Sequence, residues 1–363
     1  MKLFQKYLTM NYKETLFFVG KCLTIYHEKS NRKEIETLLK SNKINWDNVV
    51  KLSTKHYVFP ALYCNFKKVN FLQYLPNDLV DYMQHITDLN RERNCQIIEQ
   101  AHEINQLLLS NNITPIFLKG TGNLLEGLYE DIAERMVGDI DFIVSINEYQ
   151  KTIDILTNYN YKKVHQTKND YPSFKHFPRL QKENKVAAIE IHKELLIEKY
   201  ASEFNYDFVK KDLITVSETS FLSFENQLSL SIIAKQINDA GQHYKTIALR
   251  NSYDVFLLSQ KANSLNAILK FNKLFKQLNN YLAITKLCLS SEFIIYKKTT
   301  ESENYLNRFI GLLENTSISK KLHKRTARKI FIKARVNILI KALFNKKTRK
   351  WLYKRIIKGR EKL

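Results

Sequence analysis

Two aspartates separated by one residue at the start of an apolar segment are the clearest chemical feature of this 363-residue chain. They are Asp139 and Asp141 in RMVGDIDFIV (135–144). Side chains at positions i and i+2 share one face of a strand, so both carboxylates should point the same way. Two such carboxylates stay ionised only if a positive charge lies between them. Mg²⁺ meets that need, and two Mg²⁺ ions can hold the attacking and leaving oxygens of a phosphoryl displacement.

A third carboxylate lies in AAIEIH (187–192), where Glu190 is the one acid inside an otherwise apolar segment. We predict that Glu190 completes the metal site from a neighbouring strand. His192 follows two residues later and should share its face. For His192 two roles are open: a core histidine that orients Glu190, or a contact to the substrate.

A strand-to-helix turn at LKGTGN (118–123) is predicted to receive phosphates. Its glycines, Gly120 among them, let backbone amides approach a phosphate, and the positive end of the next helix would face it. Lys119 and Arg135 would add positive charge. The alternative for both is a surface charge or a structural pair with the acids. Arg250 and Asp254 have the spacing of an ordinary i,i+4 ion pair on a helix.

These residues need a small sheet to bring them together. Hydrophobic patterning and turn residues predict a β-α-β-α-β-β order, which favours a mixed sheet with helices against it. The predicted strands are 115–118, 139–144, 161–166, 173–180 and 186–196, with helices at 121–131 and 147–158 and a turn at 182–184. The chain is divided into an N-terminal helical region (1–110), a sheet domain (111–216), a C-terminal helical region (217–319) and a tail (320–363).

Composition limits the class of protein. Hydrophobic residues make up 44% of the chain, which is typical of a folded globular protein. The four cysteines, at 22, 64, 95 and 288, include no CxxC pair, which favours free thiols in a reducing cytoplasm. No segment has the roughly 20 apolar residues of a membrane span. We therefore predict a cytoplasmic protein, and peripheral attachment to a membrane stays open.

The tail is a basic segment. Residues 320–363 contain 18 of the 58 lysines and arginines and one acid, Glu361, while the whole chain has a net charge of +22. The apolar residues of 332–343 follow a helical pattern, which predicts an amphipathic helix. Three partners are possible for it: the body of the protein, the phosphate backbone of RNA, or an anionic membrane surface.

The segments LKG (118–120), Arg135, DID (139–141) and EIH (190–192) together resemble the nucleotidyltransferase superfamily with the DNA polymerase β-like fold. The chain is most similar to the bacterial "uncharacterised nucleotidyltransferase" family, over roughly residues 35–260. The resemblance implies an α+β fold, in which a small mixed-sheet nucleotidyltransferase palm is flanked by N- and C-terminal helical regions.

The resemblance also implies a reaction: Mg²⁺-dependent transfer of a nucleoside monophosphate from an NTP to an unidentified acceptor, such as RNA or tRNA, a protein, or a small molecule or sugar. Asp139 and Asp141 would then bind the metal ions, and Glu190 would be a third ligand or the base for the acceptor hydroxyl. The phosphates would be received by Lys119, Gly120 and Thr121, and Arg135 would neutralise the leaving pyrophosphate. The alternative is a non-catalytic module on the same fold that binds a nucleotide, RNA or a membrane.

Overall fold

The protein is an α+β structure in which helices flank one mixed sheet, as predicted. The computed structural model describes residues 10–41, 43–164 and 175–358. The helices before the sheet are α1 (Tyr12–Cys22), α2 (Lys29–Lys40), α3 (Trp46–Lys55), α4 (Phe59–Lys68) and α5 (Asn77–Leu109).

Helix α5 is the longest of this group and lies against the sheet region. Its buried face includes Ile97, Ala101, Ile104 and Leu108, which follow the helical repeat predicted from the sequence. The helix ends before Asn112, whose φ of 59° places it in the left-handed region that asparagine tolerates. The helical pattern predicted for this segment therefore agrees with α5, while the division of the chain at residue 110 stays a prediction.

Seven strands of the described residues form a single mixed sheet in the order β3-β4-β5-β2-β1-β7-β6. The strands are β1 (Ile116–Phe117), β2 (Asp139–Ile143), β3 (Lys162–Lys163), β4 (Leu180–Gln181), β5 (Ala188–His192), β6 (Leu213–Val216) and β7 (Thr219–Leu222). Helices α6 (Lys119–Leu125) and α7 (Tyr149–Asn158) connect the first three. Strand β2 pairs in parallel with β5 and antiparallel with β1.

Several local predictions differ in extent from the structure. Helix α6 begins at Lys119 and ends at Leu125, because Gly127 has a φ of 82° that continues no helix. The hairpin β6–β7 was not predicted, and β7 pairs in parallel with β1, so the sheet extends beyond residue 216. Strands β3 and β4 are shorter than expected, and positions 165, 166, 173 and 174 of those predictions lie outside the described residues.

The chain is helical again after the sheet. Helix α8 (Tyr206–Val209) precedes β6, and the helices that follow β7 are α9 (Phe224–Ile233), α10 (Gly241–Tyr244), α11 (Leu249–Ser259), α12 (Ser264–Leu269), α13 (Phe275–Leu289), α14 (Thr300–Glu314), α15 (Thr316–Phe344) and α16 (Lys346–Lys358). A π-helical turn at Ala234–Asn238 follows α9 directly. Among the described helices, none combines the length and the apolar character needed to cross a membrane.

The apolar residues of α15 do not pack on the body of the protein. Ile332, Val336, Leu339, Ile340 and Leu343 are between 46% and 69% exposed. The sequence-based alternative in which this apolar face covers the protein's own surface is therefore wrong. The N-terminal part of α15 does contact the body, where His323 lies 3.1 Å from the carbonyl oxygen of Tyr244.

His56 joins the N-terminal helices to α11. It follows α3 and is buried, and its Nδ1 accepts a hydrogen bond of 3.2 Å from the Leu249 N–H. Burial, with the nearby cations Lys55 and Lys235, lowers the pKa of His56 from 6.5 to about 4. The imidazole is therefore neutral near pH 7, as an acceptor must be.

We predict that this histidine makes the protein less stable in mild acid. A histidine whose pKa is lowered by folding binds more protons when unfolded, so stability is complete above about pH 6.5 and falls towards pH 4. The loss is up to about 3 kcal/mol of unfolding free energy. It would be measured by urea denaturation between pH 4 and 7, comparing wild type with His56→Gln, which should flatten the pH slope.

The exposed His102 on α5 offers a matched control. His102→Gln should keep the wild-type slope. An identical slope in wild type and His56→Gln would contradict the prediction.

Candidate active site

The register of two parallel strands places the predicted acids side by side. Strand β2 pairs with β5 so that Asp141 is opposite Glu190 and Asp139 is opposite Ala188. Asp141 and Glu190 are both 8% exposed. Two largely buried carboxylates on neighbouring strands require positive charge beside them.

Lys119 supplies part of that charge. Its Nζ lies 2.7 Å from Asp141 Oδ1, 3.8 Å from Glu190 Oε2 and 3.4 Å from His192 Nε2. Burial alone would lower the pKa of Lys119, but Asp141 and Glu190 hold it above its ordinary value. The residue has a φ of 54°, a left-handed conformation that costs about 1–2 kcal/mol in a residue with a side chain. Backbone strain of this kind is common at functional sites.

Arg179 balances the other side of the acids and was not predicted. Its Nη2 lies 2.8 Å from Asp139 Oδ2, and its Nε donates to Glu190 Oε1 at 2.8 Å. Burial opposes ionisation of Glu190, but His192, Lys119 and Arg179 together hold its pKa well below its usual range. In the structure the pairing of Leu180 with Ile189 places Arg179 opposite Glu190, a register that the expected turn at 182–184 did not indicate.

His192 lies in the same cluster. Its Nε2 is 2.9 Å from Asp141 Oδ1 and 3.4 Å from Glu190 Oε2, and the ring is 3% exposed. The Nδ1 atom is buried and has no hydrogen-bond partner. The predicted substrate residue is thus positioned directly beside the two acids.

The residues present fit a divalent cation. One oxygen of Asp141, one oxygen of Glu190 and a nitrogen of His192 lie within 4.8 Å of one another. Carboxylate oxygens suit Mg²⁺, and a mixed carboxylate and imidazole set suits several divalent ions. Asp139 stands outside this three-residue group and is paired with Arg179 instead, and its place among the metal ligands stays a prediction.

The turn after β1 holds the site strand in place. Thr121 Oγ1 donates to the Asp139 carbonyl at 2.8 Å, and the Leu118 N–H donates to the Asp141 carbonyl at 2.9 Å. The Gly122 N–H donates to the Leu118 carbonyl inside α6, so this amide is not available to a phosphate. A Cβ at Gly122 would lie 2.8 Å from the Phe117 carbonyl oxygen, which explains the glycine by close packing. The phosphate contacts expected of Gly120 and Thr121 stay predictions.

Arg135 forms a buried ion pair with Asp254 of the C-terminal region. It is 5% exposed, and its Nε and Nη2 each lie 2.9 Å from an oxygen of Asp254 on α11. Tyr129 also donates to Asp254, at 2.7 Å. The expected Arg250–Asp254 pair is wrong, since Asp254 accepts from Arg135 while Arg250 lies over the Tyr57 ring at 4.9 Å. A phosphate contact by Arg135 stays a prediction.

Helix α5 fixes the loop that carries Arg135. The Asn90 side chain donates to the carbonyls of Ala133 and Arg135, and Asn94 donates to those of Ile132 and Arg135. Such side-chain donors satisfy buried backbone acceptors that would otherwise cost stability. The N-terminal helices therefore help to position the start of β2.

These residues open into a cavity of about 370 Å³, which we call the site cavity. Its lining includes Lys119, Asp139, Asp141 and Glu190 from the sheet region. The C-terminal helical region completes it with Arg250 and Asp254, for which the sequence indicated only an ion pair. It also adds four residues that the sequence did not indicate: Ser231, Ala234, Asp239 and Asn251. Lys175 also lines it, and burial followed by the nearby Lys119 lowers the pKa of Lys175.

We predict that Arg135→Ala strongly destabilises the protein. The substitution leaves Asp254 buried without its cation, and removing one partner of a buried pair typically costs about 3–5 kcal/mol. Urea denaturation would measure the change. The exposed pair Lys210–Asp207 gives a control, because Lys210→Ala should cost less than about 1 kcal/mol. An equal loss of unfolding free energy in the two variants would show that the buried pair stabilises the protein no more than the exposed pair does.

Comparison with known proteins identifies the family of the chain. The model of the uncharacterised nucleotidyltransferase family matches residues 42–290, more than half of the chain. The crystal structure of JHP933 from Helicobacter pylori is similar at 13% sequence identity and a TM-score of 0.30, over 66% of this chain and 97% of that chain. The search of curated proteins returned no match. The chain belongs to the family of uncharacterised nucleotidyltransferases.

Proposed function

We propose that the protein transfers a nucleoside monophosphate from an NTP to an acceptor hydroxyl. In this reaction the acceptor hydroxyl loses its proton to water, its oxygen bonds to the α-phosphorus, and the bond from that phosphorus to the oxygen of the leaving pyrophosphate breaks. The observation that carries the proposal is the compact group of Asp141, Glu190 and His192 beside a cavity in a chain of the nucleotidyltransferase family.

The acids are proposed to hold Mg²⁺. Asp141 and Glu190 form the group together with His192, and Asp139 lies on the same strand as Asp141. When bound, the ion would stabilise charge on the transferring phosphoryl group and orient the reacting oxygens. Because Glu190 belongs to the compact group, we assign it the role of a ligand rather than that of the base.

The cations of the site cavity are proposed to bind the triphosphate. Lys119 and Arg179 lie beside the acids, and Lys175 forms no ion pair with any residue in the described part of the chain. Lysine and arginine neutralise phosphate charge as point charges or as bidentate donors. Because Lys119 and Arg179 flank the acids, they would bring the phosphates next to the proposed metal ligands.

We predict that Asp141→Asn abolishes transfer without unfolding the protein. Asparagine keeps the volume of the side chain and an oxygen for Lys119 but removes the negative charge that a metal needs. The measurement is transfer of label from each α-labelled NTP, with Mg²⁺ and cell extract, followed by separation of the labelled products. Circular dichroism would check the fold.

The matched control is Asp154→Asn, which changes an exposed aspartate on α7. It should retain wild-type transfer. Full transfer by Asp141→Asn would refute the site assignment. If wild type transfers no label from any NTP, the non-catalytic alternative is favoured.

We further propose that α15 and α16 bind an anionic membrane surface. The exposed apolar face of α15 is joined by Phe344 at 85% exposure and by Ile356 of α16 at 73%. Burial of such residues in an interface is favourable, and the surrounding lysines and arginines attract anionic lipid headgroups. Large aliphatic side chains contribute little to binding of a nucleic-acid backbone, so this surface favours a membrane over RNA.

We predict that Leu339→Gln weakens sedimentation with vesicles of phosphatidylglycerol and phosphatidylcholine by about fivefold to tenfold, because one buried apolar side chain is lost. Leu38→Gln, at a 40%-exposed leucine of α2, is the control and should bind as wild type. Binding to tRNA that depends on Leu339, with no binding to the vesicles, would overturn the membrane proposal.

A further inference from the structure

A second cavity adjoins the site cavity. It has a volume of about 620 Å³, and we call it the basic cavity. Asp239, Arg250 and Asn251 line both cavities, so they meet along a shared wall. A volume of this size is typical of a small-molecule site, and it can also take the end of a longer ligand.

The lining of the basic cavity is strongly cationic. It contains Lys55, Lys235, Lys245, Arg250 and Lys320, with Asp239 as the one carboxylate. In the described residues, none of these five cations forms an ion pair within 4.0 Å. Three cations of the site cavity behave differently, since Lys119, Arg135 and Arg179 are each paired. The basic cavity therefore carries an excess of positive charge, because Asp239 is the one carboxylate in its lining.

Three of these cations are partly buried, which makes their charge costly in the absence of an anion. Burial lowers the pKa of Lys235, of Lys245 and of Arg250, and neighbouring arginines lower it further for the last two. His56 also lines the cavity and is neutral, so it adds no charge there. An anion in the cavity would remove this unfavourable electrostatic energy.

The backbone around the cations is held in an unusual conformation. Lys235 lies in the π-helical turn Ala234–Asn238, a feature often found at functional sites. Ala240 and Lys245 have φ values of 57° and 51°, in the left-handed region. A Cβ at Gly241 would lie 2.6 Å from the Lys235 carbonyl oxygen, so this segment packs tightly. Strain of this kind is retained where the position of a side chain matters.

We infer that the basic cavity binds the acceptor of the reaction through a phosphate group on that acceptor. The inference rests on the proposed function, because it identifies the class of the second substrate. Unpaired lysines and an arginine recognise phosphate oxygens, and the shared wall places the ligand next to the acids that would hold the metal. The phosphate can belong to a small phosphorylated compound or to the terminal phosphate of an RNA strand.

The test measures binding without catalysis. Inorganic phosphate, AMP and a short 5′-phosphorylated RNA oligonucleotide would be titrated calorimetrically into the full chain in EDTA. Wild type should bind at least one of these probes. Lys235→Gln and Lys320→Gln should each weaken that binding by about fivefold to tenfold. Lys320 is exposed on α15, so Lys320→Gln should fold normally. The inference can therefore be tested with this variant even if Lys235→Gln does not fold.

Lys211→Gln is the matched control, since Lys211 is exposed and lines neither cavity. It should bind as wild type. Binding of all three probes indicates a small phosphorylated acceptor, and binding of the oligonucleotide alone indicates an RNA end; both support the inference. No binding by wild type, unchanged binding in both cavity variants, or an equal loss in Lys211→Gln would overturn it.

Competition separates the acceptor from the donor nucleotide. A non-hydrolysable ATP analogue with Mg²⁺ should leave probe binding intact, because both substrates must be bound together, and displacement would overturn the inference. Asp141→Asn should bind the probes as wild type does. A failure of label transfer with intact probe binding would therefore count against the proposed function alone.

Discussion

The parallel pairing of β2 with β5 is the constraint on which the site depends. Its register sets Asp141 opposite Glu190 at positions that are almost fully buried. Ionised carboxylates in such surroundings are unfavourable unless cations or hydrogen-bond donors accompany them. Other parts of the molecule must therefore place positive charge beside these two central strands. This requirement explains the positions of Lys119, His192 and Arg179.

The balancing groups come from three different parts of the chain. Lys119 reaches the acids from a strained turn after β1, His192 from β5 itself, and Arg179 from the segment before β4. A second charged layer joins the sheet region to α11 through Arg135–Asp254. It is continued by Glu134, which accepts from Lys68 and from Tyr253. Arg135, Asp254 and Glu134 are buried, whereas the side chain of Arg179 is about half-exposed. The second layer links the sheet region to α4 and α11.

The sequence was informative where chemistry depends on neighbours along the chain. Strand alternation placed Asp139 with Asp141 and Glu190 with His192, and the helical repeat identified α5. It was uninformative where partners are distant: Arg135 pairs with Asp254 across 119 positions, and the hairpin β6–β7 completes the sheet. Arg250 shows the limit clearly. Its i,i+4 spacing to Asp254 predicted a local pair, but the buried guanidinium of Arg135 makes the better-aligned bidentate contact.

The two cavities differ in the charge of the residues that line them. The site cavity contains most of the acids, and Lys119, Arg135 and Arg179 are bound to them, whereas the cations of the basic cavity form no ion pair within the described residues. Arg250 lines both cavities. Because Asp254 pairs with Arg135, Arg250 forms no ion pair in the described residues, and its positive charge lies at the shared wall. The Arg135–Asp254 pair therefore has two consequences: it attaches α11 to the sheet region, and it leaves the Arg250 guanidinium at the wall between the site cavity and the proposed phosphate site.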